Sequence, residues 1–104
     1  MLIQFNTDKT IKGDERNQEF FTSQIADELD RYRAHITRIE VHLKDVNGEK
    51  EGTDDKHCLL EARLKGMKPI AVTNHGTTIE QAVSGATHKL VKTLETRLGR
   101  LNKH

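Results

Sequence analysis

The stretch that most constrains the fold is the last one, residues 77–103, whose apolar side chains recur at helical spacing. At about 100° per residue, Ile79, Val83, Ala86, Leu90, Leu94, Leu98 and Leu101 fall on one broad side, the face a helix buries. Lys89, Lys92, Arg100 and Lys103 project elsewhere, within a sector of about 80° shared with Thr96, and Arg97 stands on its boundary. One helix is therefore expected to pack a core with one stripe and display a cationic ridge with another. Gly76 interrupts what precedes it. Thr77 or Thr78 can cap the helix, with Glu80 or Gln81 three residues later completing a capping box.

The rest of the chain reads as a sheet and one more helix. Residues 2–7 alternate, with Ile3 and Phe5 on one side and Leu2, Gln4 and Asn6 on the other, which predicts a first strand with one buried face. A polar turn follows; Ile11 is expected to plug the core edge, and Asp14 is the N-cap candidate for the next helix. From 15 to about 33 the pattern is helical: Phe21, Ile25, Leu29 and Tyr32 share a sector of about 80°, and Phe20 projects off it. The outer surface of this helix carries Glu19, Asp27, Glu28, Asp30, Arg31 and Arg33, acidic in the middle and basic at the end.

Residues 36–46 alternate again, Ile39, Val41 and Leu43 against Arg38, Glu40, His42 and Lys44, as a half-buried strand does. Residues 47–55, with two glycines and several acids, read as a hairpin loop, although Asn47-Gly48 alone can make a tight turn. In 56–65, Cys58, Leu60, Ala62 and Leu64 oppose His57, Leu59, Glu61, Arg63 and Lys65. Gly66 to Lys68 turns the chain. Pro69 cannot donate to a ladder, which places the strand 70–74 at a sheet edge with Ile70 and Val72 inward.

The order is β-α-β-β-β-α, with every strand apolar on one face and both helices apolar on one stripe. The expected fold is thus α+β: a two-layer sandwich of a four-stranded mixed sheet with two helices on one face, forming a single domain over 1–104. The helical crossover makes the first strand parallel to a neighbour, and short turns make the later strands antiparallel. The formal net charge of +1 hides an asymmetry. Residues 1–56 hold nine Lys/Arg and thirteen Asp/Glu, and residues 57–104 hold eight and three. A positive field confined to the C-terminal half attracts polyanions, RNA or DNA phosphate foremost. Cys58 is the single cysteine, so one chain can build neither a disulfide nor a cysteine-based zinc site. With neither a signal-peptide-like start nor a membrane-spanning run, the chain is expected to be soluble and cytoplasmic.

This order of elements resembles the short hibernation-promoting factors and ribosome-associated inhibitors, once called sigma-54 modulation proteins. The resemblance rests on Glu19-Phe20-Phe21-Thr22, on the strand from Ile39-Glu40-Val41-His42 to Leu43-Lys44, and on Gly76 through Ile79 with Ala82, Lys89-Leu90 and Leu94. It implies binding in the channel of the small ribosomal subunit where messenger RNA and the decoding-site transfer RNAs would lie, silencing idle ribosomes. With the sequence ending at His104, the chain is expected to lack the second domain with which long members dimerise ribosomes. The acidic loop 49–55, the acidic middle of the first helix, and Gly85 and Gly99 within the last one depart from what such a binder would want.

Lys89, Lys92, Arg97, Arg100 and Lys103 are the leading RNA-contact candidates, because a row of cations follows a phosphate backbone and releases its counterions. The alternative is a solvated helix face. Arg38, Lys44, Arg63 and Lys65 on the sheet, and Arg31 and Arg33 at the end of the first helix, form the second group. His42, His57 and His75 show no spacing that demands a metal, and no metal or other cofactor is expected. No nucleophile-base pair, paired-carboxylate motif or glycine-rich phosphate loop is recognisable, so the chain is expected to be a non-enzyme without a small-molecule substrate, monomeric when free. Two function classes remain: an rRNA-binding translation inhibitor, and a protein-interaction module that uses its charge asymmetry and has no RNA target.

Overall fold

The computed structural model describes residues 1–7, 15–45 and 56–101. Along them run β1 (Leu2–Thr7), α1 (Glu15–Leu29), a single 3₁₀ turn (Asp30–Tyr32), β2 (Ile36–Asp45), β3 (Lys56–Leu64), β4 (Ile70–Gly76) and α2 (Ile79–Leu101). The strands lie in the order β1-β2-β3-β4, β1 parallel to β2 and the other pairs antiparallel. This is the expected α+β sandwich, and β4 with its preceding proline is indeed an edge strand. Ile11, Asp14, the loop 47–55 and Lys103 lie outside the described residues.

The core is the single layer between sheet and helices. Ile39, Val41 and Leu43 of β2, Cys58, Leu60, Ala62 and Leu64 of β3, and Ile70 of β4 meet Phe21, Ile25 and Leu29 of α1. From α2 come Ala82, Val83, Ala86, Leu90, Leu94 and Leu98. Val83, Ala86, Leu90, Leu94 and Leu98 follow the helical period, which is why the sequence pattern located them, and Ala82 beside Val83 widens the stripe. Phe20 stays 56% exposed and touches Phe21 edge-on at 5.3 Å between ring centroids.

Three local features go beyond the alternation. Ile36 has the parity of the outward residues of β2 yet is buried, because the register shifts between it and Arg38: Ile36 faces Leu64 while Arg38 faces Arg63. The extra residue, Thr37, donates its hydroxyl to the Arg63 carbonyl at 3.0 Å. A one-residue bulge is enough to reverse the face a strand presents. Next, α1 ends at Leu29 rather than near 33, and the chain tightens into the 3₁₀ turn, where Arg33 N–H reaches Asp30 O at 3.1 Å. Tight i→i+3 bonds satisfy carbonyls that a helix end would otherwise leave open, and Tyr32 still packs against the core. Finally, β4 runs on through His75 and Gly76, two residues past the expected end of the strand at 74. The β3–β4 turn needs Gly66, whose φ of 68° is left-handed.

The start of α2 settles the choice of cap. Thr78 Oγ1 accepts from Gln81 N–H at 3.1 Å, while Gln81 Oε1 accepts from Thr77 N–H at 3.1 Å and from the Thr77 hydroxyl at 2.8 Å. The box is therefore Thr78 with Gln81, its return bond shifted back by one residue onto Thr77.

Candidate nucleic-acid interface

α2 is tied to the edge strand on one flank and to α1 on the other. On the β4 side, Asn74 Nδ2 donates to the carbonyls of Gln81 and Ala82 at 3.2 and 3.3 Å. Gly85 makes room for this: a Cβ there would lie 2.6 Å from Asn74 Cγ and overlap the carboxamide. The glycine that reads in sequence as a weak point in the helix is thus the notch into which the strand docks. Gly99 has open space around it.

Further along the same flank, Lys89 Nζ donates to Thr73 O at 2.8 Å. Lys89 remains exposed, so it is at once a strut between α2 and β4 and a cation at the molecular surface. Lys92 and Arg97 are exposed, and their charged ends have no partner among the described residues. They border a shallow depression with Thr93 and Thr96, whose hydroxyls turn back onto the carbonyls of Lys89 and Lys92 at 2.9 and 3.1 Å. Arg100 belongs to the helix by its backbone.

The opposite flank is charge-paired. Arg31 reaches Glu95 at 3.4 Å and lies over the Tyr32 ring at 5.2 Å, Arg33 pairs with Asp30 at 3.5 Å, and His88 lies 3.9 Å from Glu28. Arg31 and Arg33, named from sequence as second-group contacts, therefore already face carboxylates.

On the sheet's outer face the register sorts side chains into rows. Arg38 stands opposite Arg63, Glu40 opposite Glu61, His42 opposite Leu59, and Lys44 opposite His57. The two arginines would repel across the strands, but each leans onto a carboxylate of the next row: Arg38 to Glu40 at 3.2 Å, Arg63 to Glu40 at 3.4 Å and to Glu61 at 3.0 Å. Burial pushes the Glu40 carboxyl up, yet Arg38 and Arg63 together outweigh it and hold the group below the ordinary carboxylate range. Arg38 Nε is buried without a hydrogen-bond partner in the described structure. At the other end of the face Lys44 is exposed and has no partner among the described residues, as is the case for Lys65 and Lys68 beyond β3. There the His57 and His75 rings stack at 3.8 Å between centroids, 10° from parallel.

The sequence thus named Arg38 and Arg63 beside Lys44 and Lys65 as equals, and the structure separates them. The distinguishing signal was present in Arg38-x-Glu40 and Glu61-x-Arg63, two i, i+2 pairs on one face, but it becomes legible only when the register sets them side by side. His75, weighed in the sequence only as a metal candidate, and Lys68, not singled out there, are the further exposed polar residues at this end of the molecule. Cys58 is packed in the core, its thiol pushed up to about 12 by burial, which suits a small apolar filler and not a nucleophile. Among the described residues, no group of three His, Cys, Asp or Glu is placed to hold a metal ion, and no helix is long and apolar enough to cross a membrane.

Comparison with known proteins adds an independent line. A model of the family described as sigma 54 modulation protein / S30EA ribosomal protein matches residues 6–102. Among solved structures, the chain is similar to the N-terminal domain of Thermus thermophilus Protein Y, with 15% identity and a TM-score of 0.74 over 92% of this chain and 98% of that one. It is also similar to a ribosomal subunit interface protein from Coxiella burnetii, with 19% identity and a TM-score of 0.71 over 95% and 99% of the two chains. At such identities the likeness speaks for the fold. A search of curated proteins finds no match.

Proposed function

The chain belongs to the sigma 54 modulation protein / S30EA ribosomal protein family, and on that premise we propose that it binds rRNA of the small ribosomal subunit in the messenger and transfer RNA channel, inhibiting translation. The action is binding, with no bond made or broken. The observation that carries this reading is the state of Lys92 and Arg97: exposed, without a counter-ion among the described residues, and mounted on a helix whose Val83, Ala86, Leu90, Leu94 and Leu98 are buried. Such cations meet phosphate without first giving up an internal partner, and the fixed helix holds them in register. Contacts of this kind position a protein on RNA and read no sequence, so recognition would run through the shape of folded rRNA. Lys89 contributes to the field while anchoring β4, and Arg100 and Lys103 are further contacts proposed from the helical spacing of the sequence alone. Lys44 and Lys65 are secondary contacts. Arg38, Arg63, Arg31 and Arg33 add less, because carboxylates already neutralise them.

Cosedimentation with purified small and large subunits, paired with translation in a purified system, tests the proposal. Salt-sensitive binding to small subunits accompanied by inhibition is the expected result. Binding to neither subunit at low salt would refute it and leave a protein partner as the reading that survives.

A further inference from the structure

The stacked imidazoles on the sheet have no role in the ridge on α2, yet they are an ordered feature of an exposed surface. Lys44, His57 and His75 are consecutive members of one outer-face row, Lys44 opposite His57 and His57 opposite His75. The two rings are parallel to within 10° at 3.8 Å, the separation of stacked π systems. Because β4 is an edge strand, no neighbouring strand supplies a side chain beyond His75, and His75 is exposed while His57 is half-buried. Among the described residues the stack therefore ends at the exposed ring of His75.

We infer that the open face of His75 is a platform on which an unpaired RNA base continues the stack, with Lys44 supplying charge to the adjoining phosphates. Three features of the surface favour a nucleotide over other occupants. The row carries a cation without a counter-ion among the described residues, whereas the carboxylates Glu40 and Glu61 two rows away are held by arginines. Leu59, half-buried in the intervening row, gives an apolar floor beside the rings, and Thr73 in that row offers hydrogen bonding. The platform also adjoins the ridge: Lys89 is bonded to Thr73, two residues from His75, so a strand leaving α2 meets the sheet face around the β4 edge. An imidazole pair held by cross-strand register is already ordered before the base arrives, so little side-chain freedom is lost on binding. Base stacking on a ring tolerates any sequence, which suits an unpaired nucleotide splayed from folded rRNA.

This inference rests on the RNA-binding reading, and the experiment separates the two. The probes are a fluorescent single-stranded RNA heptamer, an abasic backbone of the same length, and small subunits; the proteins are wild type, His75→Ala, His75→Tyr and Lys92→Glu/Arg97→Glu. His75→Ala is expected to weaken binding of the base-bearing heptamer about tenfold while leaving the abasic strand unaffected, and His75→Tyr to restore it. The ring C–H resonances of His75 should move upfield when the heptamer is added and stay in place with the abasic strand. The double charge reversal should weaken both strands. If His75→Ala binds the heptamer and the subunits like wild type, the platform is refuted while the ridge stands. If wild type binds neither strand nor subunits, both readings are overturned.

Discussion

The solvent face of α2 and the outer face of the sheet are built from the same residue types, and they end in opposite electrostatic states. On the sheet, register places Glu40 and Glu61 beside Arg38 and Arg63, and three ion pairs of 3.0 to 3.4 Å neutralise that end of the surface. On α2, Glu95 turns toward Arg31 at the α1 seam, and Lys92 and Arg97 are left without a carboxylate among the described residues. The difference teaches that a count of basic residues says little about a polyanion site. What matters is which cations keep their field after the fold has paired the rest. A surface pair in water contributes on the order of 0–1 kcal/mol to stability, so the sheet pairs shape the potential more than they hold the fold.

The comparison requires that ridge and stripe be separate on α2, and the largest predicted effect tests this. Leu94 is fully buried, so Leu94→Ala should lower unfolding free energy by about 2–5 kcal/mol in urea titration, against under about 0.5 kcal/mol for Lys92→Ala. Gly85→Ala sharpens the docking side of the same helix. The added methyl displaces the Asn74 carboxamide from two carbonyls, a loss only partly offset by the better helix former, so destabilisation of up to about 2 kcal/mol is expected. Pairing it with Asn74→Ala should recover part of that loss, which thermal unfolding of the double variant would show.

Glu40→Gln with Glu61→Gln would free the sheet arginines and erase the contrast. Affinity for single-stranded RNA at low salt should then rise about fivefold by fluorescence anisotropy; an unchanged affinity would mean that pairing does not silence that face. The smallest effect is on pH dependence. Because the folded-state pKa of Glu40 is held below its ordinary value of 4.5, its contribution is complete above that pH and is lost as pH falls through the folded value. The stability gap between wild type and Glu40→Gln should therefore close below about pH 4.5 in urea titrations at successive pH values.

Much of this was legible in sequence where a period was long and local. The α2 stripe, the three inward faces of β1 to β3 and the edge position of β4 follow from spacing and from Pro69 alone. Features that depend on how two segments meet were not legible. Ile36 is buried through a bulge that only the β2–β3 register reveals, Gly85 has its purpose only opposite Asn74, and the neutrality of Arg38 and Arg63 exists only once Glu40 and Glu61 are adjacent. The candidate site was accordingly read as a list of cations. Its partition into paired and unpaired groups, and the bond that makes Lys89 a strut, are tertiary facts.

The central claim is that the cations of α2 without a partner among the described residues carry more of the affinity for the small subunit than the paired ones of the sheet. Its most direct test is cosedimentation with small subunits across a salt series for wild type, Lys92→Glu/Arg97→Glu and Arg38→Gln/Arg63→Gln, with thermal unfolding as the control for folding. If each α2 cation neutralises about one phosphate, the first variant should flatten the log-log salt dependence by roughly one to two units, and the second should leave it within about half a unit of wild type. Equal slopes for the folded α2 variant and wild type, or a larger change in the sheet variant, would contradict the account.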